Sequence, residues 1–384
     1  MKNINKFSIP LPYSKQSIDM IIEINKEVKK SKITSLYFSL PSSNELFTGF
    51  EQTRNILLDK TDFEFWHNIA FYAVNNGFDV IYCLNSTRPL QINNPEFINQ
   101  IKRLDKLLEV LYKTGIYKLR VASPKLLTYI NHYFPQFELY CSTANDYKII
   151  QEFINLKQIH PYLMQAVPSH NVNKNFKLLK NIQKSVIDIE IMVNEGCLQG
   201  CSNRFEHEAA YTDGNIQLFT DEKIFYESYC KKNCVKIEQS NPFLYLAKGN
   251  HIFPWEIDEY SKIGIKHFKL AGRDGIRDSS SEAHFIKMTE AYLKGVDNVK
   301  DIENYPIINF VYNSALKYIL KDLKVKDVIK YLPDIKHFEK YGELCASICG
   351  TECRYCFKCG EKIKKVLNKQ KRENNNMPFC VISK

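Results

Sequence analysis

No apolar run in this 384-residue chain approaches the ~18 residues that a membrane-spanning helix needs, so a membrane channel or transporter is not the expectation. The opening Met1-Lys2-Asn3-Ile4-Asn5-Lys6 carries no apolar core of the secretory kind, and a cytoplasmic protein is expected. No Gly-x-Gly-x-x-Gly follows any strand-like run, which removes the dinucleotide fingerprint. A His-Glu-x-x-His and a legible Ser/His/Asp set are also missing, so the usual metalloprotease and serine-hydrolase signatures are not there. The basic stretch from Lys362 to Arg372 lacks the interleaved aromatics of a nucleic-acid surface and reads as a solvated helix face.

What the chain does have is cysteine. Twelve are present, and nine of them fall in tight clusters. In a reducing compartment such clusters read as metal ligands rather than disulfides. Cys83 and Cys141 lie in strand-like runs and read as buried, inert thiols. A hydrophobic fraction of 44% is ordinary for a globular protein, and the length allows one large core. The formal net charge of +10 is mildly basic and is spread through a Lys-rich chain.

The first 275 residues alternate strand-like and helix-like segments. Strands are expected at Phe7–Leu11, Ile33–Leu40, Phe78–Leu84, Ile116–Val121, Phe137–Ser142, Ile159–Ala166, Ile187–Val193 and Lys266–Leu270. Their near-continuous apolar character suits strands buried on both faces of a parallel sheet. Between them, Thr61-Asp62-Phe63-Glu64 is a capping box opening a helix that Gly77 closes. Pro95 opens another, with Leu104, Leu108 and Leu111 at helical spacing and Gly115 as its stop. Ile18, Ile21, Ile22 and Val28 form the inward stripe of the first helix, and shorter helices are expected over Ala144–Leu156 and Asn173–Lys184. Eight such units predict an α/β fold, a (β/α)8 TIM-barrel-like core, with an open doubly wound sheet as the competing layout.

The gap between the seventh and eighth strands, Gly196 to Lys266, is an insertion before the last strand. In a barrel it follows a strand's carboxyl end, the face where active sites are built. After Asp297 the alternation stops. Helices are expected at Ile307–Leu323 and Val325–Leu332, then a cysteine-rich run, a basic helix and a polar tail. The expected division is a barrel domain over residues 1–300 and a helical, cysteine-rich extension over 301–384.

The insertion carries Cys197-x3-Cys201 and Cys230-x3-Cys234. Four soft thiolates suit a [4Fe–4S] cluster or a structural zinc, and the x3 spacings fit a cluster better than the x2 knuckles of zinc. Four unligated thiols are the bland alternative. Glu195, just before the first cysteine, is a candidate general base or a solvated turn residue. Arg204 and His207 lie three apart and would share a helix face, as candidates for substrate contact or proton transfer. Arg273, at the end of the eighth strand, could clamp an anion bidentately, or instead pair with Asp274 or Glu256. Weaker strand-end candidates are Asn85 and Arg88, Ser142 and Thr143, and Ser169 and His170. The tail offers Cys345, Cys349, Cys353, Cys356 and Cys359 as a second metal site, for an iron–sulfur cluster or zinc. Cys349-x3-Cys353-x2-Cys356 matches the spacing of radical SAM clusters, but those follow a first barrel strand, and its late position argues against SAM as a cofactor.

Pro254-Trp255-Glu256-Ile257, Gly264-Ile265, Phe268-Lys269-Leu270, Gly272-Arg273 and Ala291-Tyr292, following two cysteine pairs, resemble the peptidase U32 family. The likeness covers about the middle quarter of the chain and departs from the family in the x3 spacing of the first pair and in Asn194-Glu195-Gly196 where His-Gly is usual. It implies a barrel core and a [4Fe–4S] cluster on Cys197, Cys201, Cys230 and Cys234, with Lys269 and Arg273 toward substrate. It further implies redox or oxygen-independent hydroxylation of RNA, a peptide or a small aromatic acid, with an electron donor as partner. A U32-type protease, a radical SAM-like peptide maturase and a zinc-stabilised binding protein are the rival readings.

Overall fold

The protein is described from a computed structural model covering residues 4–40, 44–51, 63–87, 96–196, 241–272, 279–311, 320–343 and 353–373. Eight parallel strands close into a barrel in sequence order: β1 Asn5–Pro10, β2 Ser31–Phe38, β3 Asp79–Leu84, β4 Lys118–Val121, β5 Glu138–Cys141, β6 Gln165–Ala166, β7 Asp188–Met192 and β8 His267–Lys269. The ring is sealed where β1 pairs with β8, Phe7 opposite Phe268. All eight expected strands are present, and the fold is a (β/α)8 barrel rather than an open sheet.

Helices alternate with the strands: α1 Lys15–Glu27, α2 Phe63–Asn75, α3 Phe97–Lys113, α4 Pro124–Tyr133, α5 Ile150–Ile159 and α6 Phe176–Ser185. Then come α7 Pro242–Lys248, α8 Ile257–Lys262, α9 Ser279–Asp297, α10 Val325–Val328, α11 Ile335–Tyr341 and α12 Tyr355–Glu373. Their starts follow from side-chain caps. The Ser14 hydroxyl accepts from Ser17 N at 3.1 Å, satisfying one of the donors a helix start leaves open. Glu282 of α9 accepts from Tyr13 N and from Ser14 Oγ, both at 2.9 Å, so it fastens α9 to the cap of α1. Helix stops at Gly77 and Gly115 carry φ of +82° and +84°, a left-handed turn that glycine adopts without strain. Ile18, Ile21 and Ile24 turn one stripe of α1 onto the barrel, each stabilising by at most about 1.5–3 kcal/mol.

Along the strands the side chains alternate between two environments. Phe7, Leu36, Leu119, Leu139, Ile189, Ile191 and Phe268 join the core between barrel and helices. Their neighbours Ser8, Tyr37, Cys83, Arg120, Glu190 and Lys269 are also buried but line the lumen. The near-continuous apolar reading therefore needs correcting. The strands are buried on both faces, but the inner face sets polar and charged side chains beside a small apolar cluster of Tyr37, Ile81 and Cys83. A register shift in the β1–β2 pairing at Phe7/Ser8 matches Lys6 to Lys32 and then Ser8 to Ser35, which keeps Lys32 and Ser35 on the lumen side.

Several other expectations change. The expected 144–156 helix is a one-turn 3-10 segment, Thr143–Asn145, ended by Asp146 at φ 54°, followed by α5. The expected 159–166 strand shrinks to Gln165–Ala166, because α5 runs through Ile159 and Pro161 follows. Within the first expected helix, Ile307–Leu323, the described residues 307–311 and 320–323 include the short Ile307–Phe310 turn, and 312–319 lie outside the described residues. The basic helix starts earlier than expected and includes Cys356 and Cys359 in its first turns. The core runs unbroken from barrel to tail, taking in Phe338, Ile363 and Leu367.

Candidate active site at the carboxyl end of the barrel

The chain turns from β7 into the insertion through Asn194, Glu195 and Gly196, and three contacts fix this root. Asn194 Nδ2 donates to the Ala271 carbonyl at 2.9 Å, and Ala271 N donates back to Asn194 Oδ1 at 2.7 Å. This reciprocal pair stitches the end of β7 to the end of β8, one residue before Gly272. Ile252 N donates to the Val193 carbonyl at 2.6 Å, returning the chain beside β7. The Tyr245 hydroxyl of α7 donates to the Gly196 carbonyl at 2.5 Å. Gly196 and helix α7 are thereby joined at the carboxyl end of β7. A Cβ at Gly272 would overlap the Phe285 ring of α9, so any larger residue there requires that ring to move.

An aromatic shelf flanks this root. The His251 ring packs on Phe253 at 4.8 Å, and Phe253 stacks on Trp255 at 4.7 Å. His251 is 1% exposed, and its Nε2 lies 3.0 Å from the Leu246 carbonyl, so Nε2 carries the proton. Burial, and then the nearby Lys174 charge, hold its pKa down to about 3. The Glu256 carboxylate accepts from Phe253 N at 2.7 Å and pairs with buried Lys174 at 3.3 Å. The Pro254–Glu256 segment is thus a capped turn that carries the chain through α8 and the Gly264 stop into β8.

Below the mouth lies the charged part of the lumen. Lys269 of β8, 5% exposed, holds Nζ 4.2 Å from the centre of the Tyr37 ring. Arg120 of β4, fully buried, has its guanidinium carbon 6.0 Å from the same ring. Arg120 Nη2 approaches Glu190 Oε2 of β7 at 2.6 Å, and Ser8 Oγ donates to Glu190 Oε1 at 2.7 Å. That short Arg–Glu approach is a charge contact without hydrogen-bond alignment, and Nε, Nη1 and Nη2 make no hydrogen bond. Tyr37 donates its hydroxyl to the Leu270 carbonyl at 2.8 Å. Two cations, one carboxylate and a phenol ring therefore share a buried layer under the insertion. This arrangement can hold an anionic group and exclude water from it.

The structure brings together only some of the sequence candidates. Lys269 is in the lumen, and Glu195 is at the root, where its Oε1 accepts from Gly196 N at 2.9 Å. Ser142 Oγ donates to Asn85 Oδ1 at 3.0 Å at the buried ends of β5 and β3. Thr143 bonds the Pro168 carbonyl at 3.2 Å, Ser169 bonds Asp146, and His170 is fully buried. Cys197, Cys201, Arg204, His207, Cys230, Cys234, Arg273, Arg88, Cys345 and Cys349 lie outside the described residues. Cys83 and Cys141 are fully buried, and burial pushes the Cys141 thiol up to about 12. Tyr37, Arg120 and Glu190 escaped the sequence reading. Their signal was a polar residue at every second position of an otherwise aliphatic strand, as in Lys118-Leu119-Arg120-Val121.

In the tail, Cys356 and Cys359 are buried near the start of α12, and Cys353 is half-buried with Sγ 3.7 Å from His337 Nε2. The His337 ring stacks on Tyr355 at 4.0 Å. Among the described residues no three Cys, His, Asp or Glu side chains converge on a point that could hold a metal. Helix α12 crosses α7 so closely that a Cβ on Gly360 would lie 3.1 Å from the Leu244 backbone. The cysteine-rich tail thus packs against the helix that ends the insertion.

Among the described residues, no helix is long and apolar enough to cross a membrane. No family model matches the chain. It is 22% identical over 369 residues, 94% of its own length and 99% of the relative's, to a protein of the archaeon Methanocaldococcus jannaschii named uncharacterized protease MJ1657. Among solved structures, the U32 peptidase Mk0906 aligns with 71% of this chain and 94% of its own at 11% identity and a TM-score of 0.44. A dihydrodipicolinate synthetase-like protein from Pseudomonas aeruginosa aligns over 94% and 99% at 9% identity and a TM-score of 0.33. The chain thus matches the Methanocaldococcus jannaschii relative along nearly its whole length, and its residues between Pro254 and Tyr292 resemble the U32 pattern.

Proposed function

We propose that the protein is an iron–sulfur-dependent modifying enzyme. In this reading Cys197, Cys201, Cys230 and Cys234 hold a [4Fe–4S] cluster above the barrel mouth. The reaction is a redox step on an RNA, a peptide or a small aromatic acid, with an external electron donor where the substrate is reduced; in oxygen-independent hydroxylation the oxygen comes from water, and the two electrons and two protons released pass to an external electron acceptor. The observation that carries the reading is the closed root of the insertion: the Tyr245–Gly196 bond and the Asn194–Ala271 pair hold both its ends over the charged lumen. The donor set fits the group on its chemistry, since four thiolates are what such a cluster takes. The Tyr245, His251, Phe253 and Trp255 shelf supplies the apolar surround that tunes a cluster's potential and limits water.

A bound cluster supplies one-electron chemistry. The chain's own residues do the rest. Lys269 offers a buried positive charge to an anionic group of the substrate, and Tyr37 forms an aromatic wall beside it. Arg273, four residues further along the chain, is assigned the same task. Glu195, at the insertion root, is the candidate to accept a proton from the reacting group. The tail cysteines are read as a second metal centre, iron–sulfur or zinc, docked on the insertion through α12 and α7.

Proteolysis is the rival reading, favoured by the relative's name and by the Cys353–His337 contact, which could act as a thiol–base pair. One experiment separates the two. Wild-type protein and a Cys201→Ser/Cys234→Ser variant are purified without oxygen, assayed for iron, and incubated with gelatin. The expected result is a brown, iron-containing wild type, a variant that has lost the insertion's iron, and no gelatin cleavage by either. Cleavage that persists without iron, and disappears in Cys353→Ser, would transfer the assignment to the protease. A colourless, zinc-containing wild type would leave a binding protein.

A further inference from the structure

Two lysines face each other at the amino end of the barrel with no acid between them. Lys6 of β1 is the register partner of Lys32 of β2, and both are exposed. Like charges directly opposite on neighbouring strands oppose pairing. Neither lysine has an ion-pair partner among the described residues. The two stand in the wall of a cavity of about 950 Å3, lined by the amino-terminal halves of strands from around the barrel. That size is in the range of roughly 300–1,000 Å3 typical of small-molecule sites.

The acids of this cavity are already engaged. Asp79 pairs with Lys118 at 2.7 Å. Asp188 accepts from Gln183 at 2.6 Å and lies 3.5 Å from His267 Nε2. Glu190, the innermost acid, is held by Ser8 and Arg120, and Arg120 keeps its Nε and Nη1 unbonded behind it. Positive charge is therefore in surplus, and the surplus sits at the Lys6–Lys32 pair. Gln165 and Tyr140 also line the cavity, with Gln165 Nε2 donating to Asp188 at 3.4 Å and the Tyr140 hydroxyl donating to Glu138 at 2.7 Å. Glu190 lines this space and belongs also to the buried layer of Lys269, Arg120 and Tyr37, so the Arg120–Glu190 pair is shared between the two ends of the lumen.

We propose that the amino end of the barrel binds a small organic oxyanion, a carboxylate or a phosphate ester, with its charged group between Lys6 and Lys32 and its body in the cavity toward Gln165 and Tyr140. The inference does not depend on the metal chemistry at the other end. Inorganic phosphate is the probe. Its 31P line is followed on the full chain at constant ionic strength, with acetate added as competitor. The comparison proteins are Lys6→Gln/Lys32→Gln and, as a charge-matched control, Lys364→Gln/Lys365→Gln on α12. Both pairs are exposed except that Lys364 and Lys365 lie on a helix surface remote in sequence, so both variants are expected to fold.

The expected result is a phosphate line broadened by the wild type and by the control, with at least a tenfold loss of affinity in Lys6→Gln/Lys32→Gln. Displacement by acetate would identify the natural group as a carboxylate, and resistance to acetate would identify it as a phosphate ester. Absence of binding to the wild type, or an equal loss in both variants, would overturn the proposal and leave the lysines as a solvated rim.

Discussion

Glu190→Ala is expected to destabilise the protein by about 3–5 kcal/mol, because it leaves the fully buried Arg120 guanidinium with no counter-charge. Ser8 Oγ loses its acceptor in the same step. The cost comes from the orphaned cation rather than from the strength of the pair. A second variant makes that distinction. Arg120→Met/Glu190→Leu replaces the pair by apolar side chains of similar volume, and its stability should return close to wild type, less the small cost of the unpaired Ser8 hydroxyl. Urea unfolding measures both, as a shift in midpoint at unchanged slope. If the double variant proved as unstable as Glu190→Ala, the lumen charges would be doing something other than satisfying one another.

The second large effect is on acid stability. His251 is buried beside Gly249, which must lack a side chain because a Cβ there would overlap the imidazole. With its pKa near 3 in the fold and near 6.5 in the unfolded chain, His251 is proton-poor in the native state throughout the window between them. The unfolded state binds more protons there, so stability rises with pH. The contribution is fully present above about pH 6.5 and is lost as pH falls toward 3, at up to about 1.4 kcal/mol per pH unit. His251→Gln keeps a donor for the Leu246 carbonyl and does not titrate. Its stability relative to wild type should therefore improve steadily as pH is lowered from 7 to 4. A constant difference between the two proteins across that range would mean that His251 titrates in the fold as it does in the unfolded chain.

How much of this was legible in the sequence depended on which face of a strand carried the signal. The outward residues, such as Leu36, Leu119, Ile189 and Phe268, make the aliphatic runs from which eight strands and their order could be read. The lumen was less legible. Arg120 and Glu190 stand far apart in the chain, and only barrel closure brings them to 2.6 Å. Lys269 was found because it belongs to a recognisable segment, not because its strand announced a buried cation. Boundaries failed where local chemistry overrode periodicity, as at Asp146, whose left-handed backbone breaks the expected helix, and at Pro161, which shortens the sixth strand. The tail reads as an appendage because its cysteines form a run of their own. Nothing in the sequence announces that Gly360 lets α12 seat on α7. Asn194 was noticed as a departure from the His-Gly of the U32 pattern, and its structural role is the two-way bond to Ala271.

The central claim is that thiolates of the insertion assemble an iron–sulfur centre at the carboxyl end of this barrel. Iron and acid-labile sulfide determination on protein purified without oxygen, with an EPR spectrum after reduction, tests it most directly. The account predicts about four irons per chain for the insertion, or about eight if the tail holds a second cluster, and a reduced-cluster signal that Cys201→Ser/Cys234→Ser diminishes. Protein without iron that is folded and silent in EPR would contradict it.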